Sequence, residues 1–312
     1  MPGEASARAA EPSARARELL RGAFDTHVHV APDVVPRRID DLALARRFGA
    51  LGLGGFVLKS HYGATAERAS VVQAAVPGVR VLGAISLNRA VGGINPLAVE
   101  IAAREGARTV WFPTVDALNE AHEREAPPGA KVPVWAALQR ELREQGLELE
   151  PVAVLDRAGA VLPEVRQVLR MIARHGMLLA TGHLSRDEIF ALVDAARAEG
   201  VQEIVITHPE FPSQSLSVAD QRALAERGAL LERCFTTPYT GKVSWERWLE
   251  NIDAVGPEHS VLSTDLGQVA NPPVEDGMAL MVDRLLAAGF DEQQVHTMAV
   301  TNTRRVAGVE PL

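Results

Sequence analysis

Eight short apolar runs alternate with helical patterns along the chain, and this alternation predicts an α/β fold, a closed (β/α)8 TIM barrel. Three observations carry that prediction. Apolar runs separated by amphipathic segments are the mark of a parallel sheet covered by helices. Eight such units within 312 residues suit a closed barrel. The turn after the first run holds Pro32 and Pro36 in place of a GxGxxG fingerprint, which disfavours the alternative, a doubly wound open sheet.

Taken in order, residues 1–21 are rich in Ala, Arg, Glu and Ser. They read as a flexible extension with a helical turn or two over Ala14 to Leu20 and a mobile first dozen residues. Residues 22–306 then form a single barrel domain. Phe24 to Val30 is the first strand. Ile39 to Phe48 has helical spacing and is stopped by Gly49 and Gly52. Gly54 to Lys59 is the second strand, and Thr65 is placed to cap a helix through Ala75. Val79 to Leu87 is the third strand. Pro96 suits the first turn of a helix to Glu105. Thr109 to Phe112 is the fourth strand.

Residues 115–160 interrupt the alternation. They read as an inserted hairpin or flap with a short helix and candidate strands near Val132 to Ala136 and Leu149 to Leu155, and Trp135 is placed to cover a pocket. The pattern then resumes with an amphipathic helix over Val161 to Ala173. Met177 to Thr181 is a strand, and Asp187 to Glu199 a helix capped by Ser185. Glu203 to Thr207 is a strand, Val218 to Glu226 a helix, Leu230 to Phe235 a strand and Trp245 to Val255 a helix. Ser260 to Thr264 is the last strand, and helices over Gly277 to Ala288 and Glu292 to Val306 close the chain.

In a barrel, polar residues at the C-terminal ends of the strands converge on one pocket. His27 and His29 stand at alternate positions, so they share one face of the first strand. Asp25 has the same parity and suits a supporting acceptor or a further ligand. Lys59 and His61 follow the second strand, Thr114 the fourth, His183 the fifth and His208 the sixth, while Glu232 lies within the seventh. Asp265 ends the eighth. Four histidines and an aspartate from four strand ends are what a Zn, Mn or Fe site requires. His175 reads as structural at a helix end. His122 is a weaker candidate for the pocket wall, and His259 and His296 look peripheral.

The motif Asp25-Thr26-His27-Val28-His29, with His183, His208 and Ser263-Thr264-Asp265 in this order, resembles the amidohydrolase superfamily of metal-dependent hydrolases. The resemblance covers about residues 22–306. It implies that His27, His29 and Asp265 bind a metal in a barrel mouth, with His183 a ligand of a first or second ion. His208 would be a second-metal ligand in a two-metal site, or an acid/base or substrate contact in a one-metal site. The chain departs from the two-metal pattern. The end of strand four, Trp111-Phe112-Pro113-Thr114, offers neither the bridging lysine nor the glutamate. Lys59, two strands earlier, is then a displaced bridge if carboxylated, an anchor for a substrate carboxylate, an oxyanion donor or a structural ion-pair partner. One essential ion held by His27, His29, His183 and Asp265 is favoured, with Zn ahead of Mn, Fe or Co.

The expected reaction is hydrolysis of an amide, lactam, lactone or related C–N or C–O bond of a small molecule by a metal-activated water. Asp265, His208 and Lys59 would carry the catalysis, and His61, Thr114, Tyr239 and Asn271 would shape substrate binding. The rivals are a metal-dependent nonoxidative decarboxylase of a small acid and a non-catalytic barrel that only binds. Bulk properties fit a soluble globular protein: 47% apolar and 23% charged residues, and a net charge of -8 that argues against a nucleic-acid partner. No run is long enough for a membrane span and no secretory signal opens the chain. The single Cys234 suits a reducing, cytoplasmic compartment. The closing helices leave a homo-oligomer open.

Overall fold

The computed structural model describes residues 11–120, 133–147 and 149–310. Eight parallel strands stand in sequence order: β1 (Phe24–Val28), β2 (Gly55–Leu58), β3 (Arg80–Ser86), β4 (Ala107–Trp111), β5 (Leu178–Ala180), β6 (Glu203–Ile206), β7 (Leu230–Cys234) and β8 (Ser260–Ser263). The seam between β8 and β1 is closed just past β8. There the Asp265 N–H donates to the His27 carbonyl at 2.8 Å, and the His29 N–H to that of Leu266 at 2.8 Å. The chain is therefore a (β/α)8 barrel, and both ends of the seam carry candidate site residues.

The interior is filled, not hollow. Leu178, Val205, Leu230 and Val261 form one buried layer with Val306, and Val57, Ala84, Trp111 and Ala180 form the next. The larger apolar clusters lie outside, between strands and helices. One is built around Val110, Leu179, Ile204 and Leu231, the other around Val28, Phe56, Leu58 and Leu262. Side chains alternate between these two environments along each strand.

Local chemistry sets the helix ends. Asn95 accepts from the Ala98 N–H and Pro96 starts that helix, while Gly176 ends the helix Pro163–His175 at φ 61°. The Glu188 carboxylate receives both the N–H and the hydroxyl of Ser185 at the start of Arg186–Ala198. Among the described residues, no helix is long and apolar enough to cross a membrane.

Three local expectations are corrected. Thr65 does not cap its helix; its hydroxyl reaches the Leu58 and Ala84 carbonyls and ties β2 to β3. The helix expected from Gly277 begins at Val274, directly after Pro273. In the described part of the insertion after β4, Val134–Glu144 is an α-helix where a strand near Val132 to Ala136 was expected. Its Ala, Leu, Gln, Arg and Glu favour helix, and Trp135, Leu138 and Leu142 recur at helical spacing. Over Leu149 to Leu155 there are only the isolated bridges Ala117–Val152 and Leu155–Val161. The mobile first dozen residues fall mostly, and His122 wholly, outside the described residues.

Candidate metal centre

At the C-terminal mouth of the barrel a cavity of about 580 Å³ is lined by His29, Lys59, His61, His183, His208 and Asp265. Arg37, Tyr62, Trp135, Phe211, Lys242 and Asn271 complete much of its wall. A second hollow, about 610 Å³, lies at the other end among Phe24, Gly54, Val81 and Arg304; no candidate ligand lines it.

The metal-ligating geometry is on the β1–β8 seam. His27 Nε2 and His29 Nε2 each lie 3.1 Å from Asp265 Oδ1, so two imidazole nitrogens converge on one carboxylate oxygen. The three ligand atoms lie within 4.8 Å of one another. Asp265 holds this position at φ 53°, a left-handed conformation that is costly for a non-glycine residue. Its other oxygen accepts from the Thr236 hydroxyl at 2.9 Å. Gly267 makes the seam possible: a Cβ there would stand 1.5 Å from the His29 carbonyl oxygen.

Behind the ligands stands Glu232, within 3.2 Å of His27 Nδ1 through both oxygens. It also receives the Ser263 hydroxyl at 2.8 Å. A carboxylate on Nδ1 fixes the tautomer with its proton there and leaves the Nε2 lone pair for an ion. His27, Glu232 and Cys234 form a second group within 4.8 Å. Burial holds the Cys234 thiol well above its ordinary pKa, so it stays protonated.

The electrostatics follow from burial and these contacts. Burial pushes Glu232 up, but the charge on His27 and its hydrogen bond outweigh that and hold it at about 2. Burial likewise raises Asp265, yet His27 and His29 keep it well below the carboxylate range. Burial and Lys59 push His27 down; Glu232 and Asp265 outweigh them and raise it. His29 and His61 lie well below the imidazole range through burial, which keeps them neutral.

Lys59 is buried, with Nζ 2.8 Å from His27 Nε2 and 5.2 Å from the centre of the Trp111 ring. Burial lowers its pKa against the pull of Asp265 and Glu232. Trp111 thus puts an apolar floor at the end of β4, where two-metal relatives were expected to carry a bridge.

His183 and His208 form the facing wall, ring centres 5.0 Å apart, and lie outside the 4.8 Å group. The four-ligand set expected from sequence is therefore not gathered: His183 Nδ1 stands 3.0 Å from Glu120. Gly182 presents it, at φ 64°, where a Cβ would meet the Phe112 carbonyl oxygen at 2.3 Å. His208 sits at φ 26°, and burial drives its pKa down to about 3.

His61 stacks on His29, ring centres 4.9 Å apart, and its Nδ1 meets the Thr114 hydroxyl at 2.8 Å. Thr114 is buried beneath His61 and bound by Asn88, so it orients the histidine instead of lining the cavity. Tyr239 is turned away and stacks on Phe235; Asn271 does line the cavity. Asp25 is absorbed by the seam, accepting from the Thr264 N–H at 3.0 Å and hydroxyl at 2.6 Å.

Sequence reasoning placed Glu232 within the seventh strand but gave it no role, and it missed Arg37. An acidic residue inside an apolar strand was the available signal for Glu232. Arg37 gave none, lying in a proline-broken loop; its Nη2 is 3.4 Å from His29 Nδ1 and its Nε donates to Asp33 at 2.7 Å.

Comparison with solved structures finds the same fold in other proteins. An amidohydrolase from Pseudomonas aeruginosa superposes with a TM-score of 0.59 at 13% identity, over 94% of this chain and 99% of that one. A putative 2-pyrone-4,6-dicarboxylic acid hydrolase from Pseudomonas putida gives 0.58 at 17%, over 94% and 99%. The probable dipeptidase PvdM from Pseudomonas aeruginosa gives 0.61 at 12%, over 94% and 97%. At these identities the shared property is the fold, and the kinship implied by Asp25 to His29 holds at that level. No curated protein matches the chain. A family described as of unknown function, DUF6282, matches residues 22–232, a span that carries His27, His29, Lys59, His183 and His208 and stops before Asp265. With two thirds of its length in that match, the chain belongs to the DUF6282 family.

Proposed function

We propose that this protein is a metal-dependent hydrolase that cleaves a C–N or C–O bond of a small molecule, such as an amide, lactam or lactone. The ion is assigned to His27, His29 and Asp265. The observation that carries the reading is the convergence of two imidazole nitrogens and a carboxylate oxygen within 4.8 Å at a cavity floor. The donor set fits a divalent ion: two imidazole nitrogens, one carboxylate and an open side toward the cavity. Zinc is favoured, and Mn, Fe and Co suit the same donors. One ion is favoured over two, because His27 Nδ1 is engaged by Glu232 and the end of β4, Trp111 to Thr114, offers no bridging lysine or glutamate.

Bound there, a divalent ion supplies Lewis acidity and brings the pKa of a water toward neutrality. The chain's own residues do the rest. Asp265, ionised and pinned by Thr236, accepts the proton of the attacking water and returns it to the leaving group. Lys59 donates toward the oxyanion from a buried position, where such a charge acts strongly. His208 is neutral, so it serves as a hydrogen-bonding partner to the polarised carbonyl. His183 faces the substrate from the same wall. Trp135, at the start of the inserted helix, narrows the mouth and limits water entry.

The test is metal content by elemental mass spectrometry on the wild type, His27→Ala and Lys59→Ala, followed by a hydrolysis screen. The expected result is near one ion per chain, lost in His27→Ala and kept in Lys59→Ala. Near two ions, falling in Lys59→Ala, would make Lys59 part of a binuclear centre. No ion after incubation with Zn or Mn would end the proposal. Release of carbon dioxide without hydrolysis would move the same residues to the decarboxylase reading.

A further inference from the structure

The chain has three lysines among 32 basic residues, the other 29 being arginines. Two of the three, Lys59 and Lys242, line the cavity that holds the histidines. The third, Lys131, lies outside the described residues. Arginine carries nearly all the positive charge, so a lysine in this wall is not generic solubilising charge.

The cavity is also lopsided in charge. Among the described residues its charged lining is Arg37, Lys59 and Lys242 against Asp265 alone. Asp265 is taken up by His27, His29 and Thr236. Lys59 is buried against His27, and Arg37 is bound to Asp33. Lys242 differs. It is exposed at the mouth, and no carboxylate among the described residues forms an ion pair with it. It is nonetheless well placed: its N–H donates to the Thr237 carbonyl at 3.0 Å, within the turn that braces Asp265.

Lys242 Nζ lies 5.3 Å from the centre of the Phe211 ring. Phe211 in turn lies 4.9 Å from His208 and 6.2 Å from His183, ring centre to ring centre. A cation, an aromatic face and two imidazoles therefore follow one another from mouth to floor. On the β2 side of the cavity the Tyr62 hydroxyl is buried without a hydrogen-bond partner, a polar group a ligand would satisfy.

From this we infer that the substrate is a small carboxylate, held at the mouth by Lys242 with its apolar body along Phe211, so that its far end reaches the histidines. The inference rests on the cavity being the active site, as proposed above, and names the substrate class. It assigns Lys242 as the specificity residue.

The experiment is calorimetric titration of the full-length protein, as purified, with benzoate and with its neutral analogue benzamide. The same titrations are made on Lys242→Ala and Lys242→Arg. Benzoate is expected to bind at least about tenfold more tightly than benzamide. Lys242→Ala should weaken benzoate by about tenfold and leave benzamide unchanged, and Lys242→Arg should keep most of the benzoate affinity. Lys242 is exposed, so circular dichroism should show all variants folded. Benzoate binding indifferent to Lys242→Ala would put the anion on the ion or on another cation and overturn the inference. Equal binding of the two ligands, or binding of neither, would overturn it too. The readout needs no turnover, so it separates from the hydrolase reading. A metal-free, inactive protein that binds benzoate through Lys242 sinks only the hydrolase reading. A hydrolase of neutral substrates with no benzoate preference sinks only this inference.

Discussion

On β7 two charged residues stand side by side, both buried: Glu232 faces into the barrel and Arg233 faces the helices. Glu232 meets His27, Ser263 and the His208 N–H, all in or next to the candidate site. Arg233 pairs with Glu210 and bonds Gln221 at 2.8 Å and Ser260 at 3.1 Å, joining a loop, a helix and a strand. The alternation of strand side chains separates the two by one residue and by purpose. Inward, a buried charge holds a ligand in its working tautomer. Outward, it locks the loop after β6 to the helix layer. Burial of a charge alone does not mark a functional residue; the side of the strand it faces does.

The largest effect expected is on the outward cluster. Arg233→Ala leaves Glu210 buried without its partner and should cost roughly 3–5 kcal/mol of stability. Urea unfolding measures it. Replacing both partners, Arg233→Met with Glu210→Leu, should recover much of the loss, because paired removal leaves no orphan charge. Metal content of the folded protein should not change. A loss of metal without a loss of stability would erase the distinction between the two faces.

Next in size is Glu232→Gln. Losing the carboxylate behind His27 should lower metal affinity by about 10- to 100-fold. Competition with a chromogenic chelator measures it, and the cost in stability should be smaller than for Arg233→Ala. Acid sharpens the test. Glu232 titrates at about 2 in the folded protein, below the ordinary 4.5, because His27 outweighs the effect of burial. A depressed carboxylate contributes stability that is present above its unfolded pKa and is lost as the pH falls through the folded one. The wild type should therefore lose stability between about pH 4.5 and 2, and Glu232→Gln should lose less over that window. Equal acid sensitivity would mean that Glu232 is not the charged brace.

The same comparison explains what was legible in the sequence. The eight strands were, because buried parallel strands read as unbroken apolar runs. His27, His29, His208 and Asp265 were, because a polar residue ending such a run has to face the barrel mouth. Glu232 was named within its strand but without a role, because the run does not say which parity faces in, and Arg233 beside it was not singled out. His183 was legible as a cavity residue, but its stand beside Glu120, apart from the ligand group, depends on how the loops after β4 and β5 pack. Lys242 and Arg37 lie in loops where neither period applies. The inserted helix was misread because Val132-Pro133-Val134-Trp135 imitates a strand over four residues, while its helical spacing emerges only over the 11 residues of Val134–Glu144.

The smallest effect expected is at Ser263. Its hydroxyl donates to Glu232 Oε1 at 2.8 Å and lies 3.6 Å from Cys234 Sγ. Ser263→Ala removes one donor from a carboxylate that keeps His27 and the His208 N–H, so the cost should be near one ordinary buried hydrogen bond, about 1 kcal/mol. Metal affinity should fall by less than in Glu232→Gln, because the carboxylate remains behind His27. The double variant tells whether the serine acts through the glutamate. If it does, Ser263→Ala adds nothing to metal affinity once Glu232 is glutamine, and Ser263 is part of the brace. If the two losses add in full, Ser263 supports β8 on its own account. Glu232 would then hold His27 without help from Ser263.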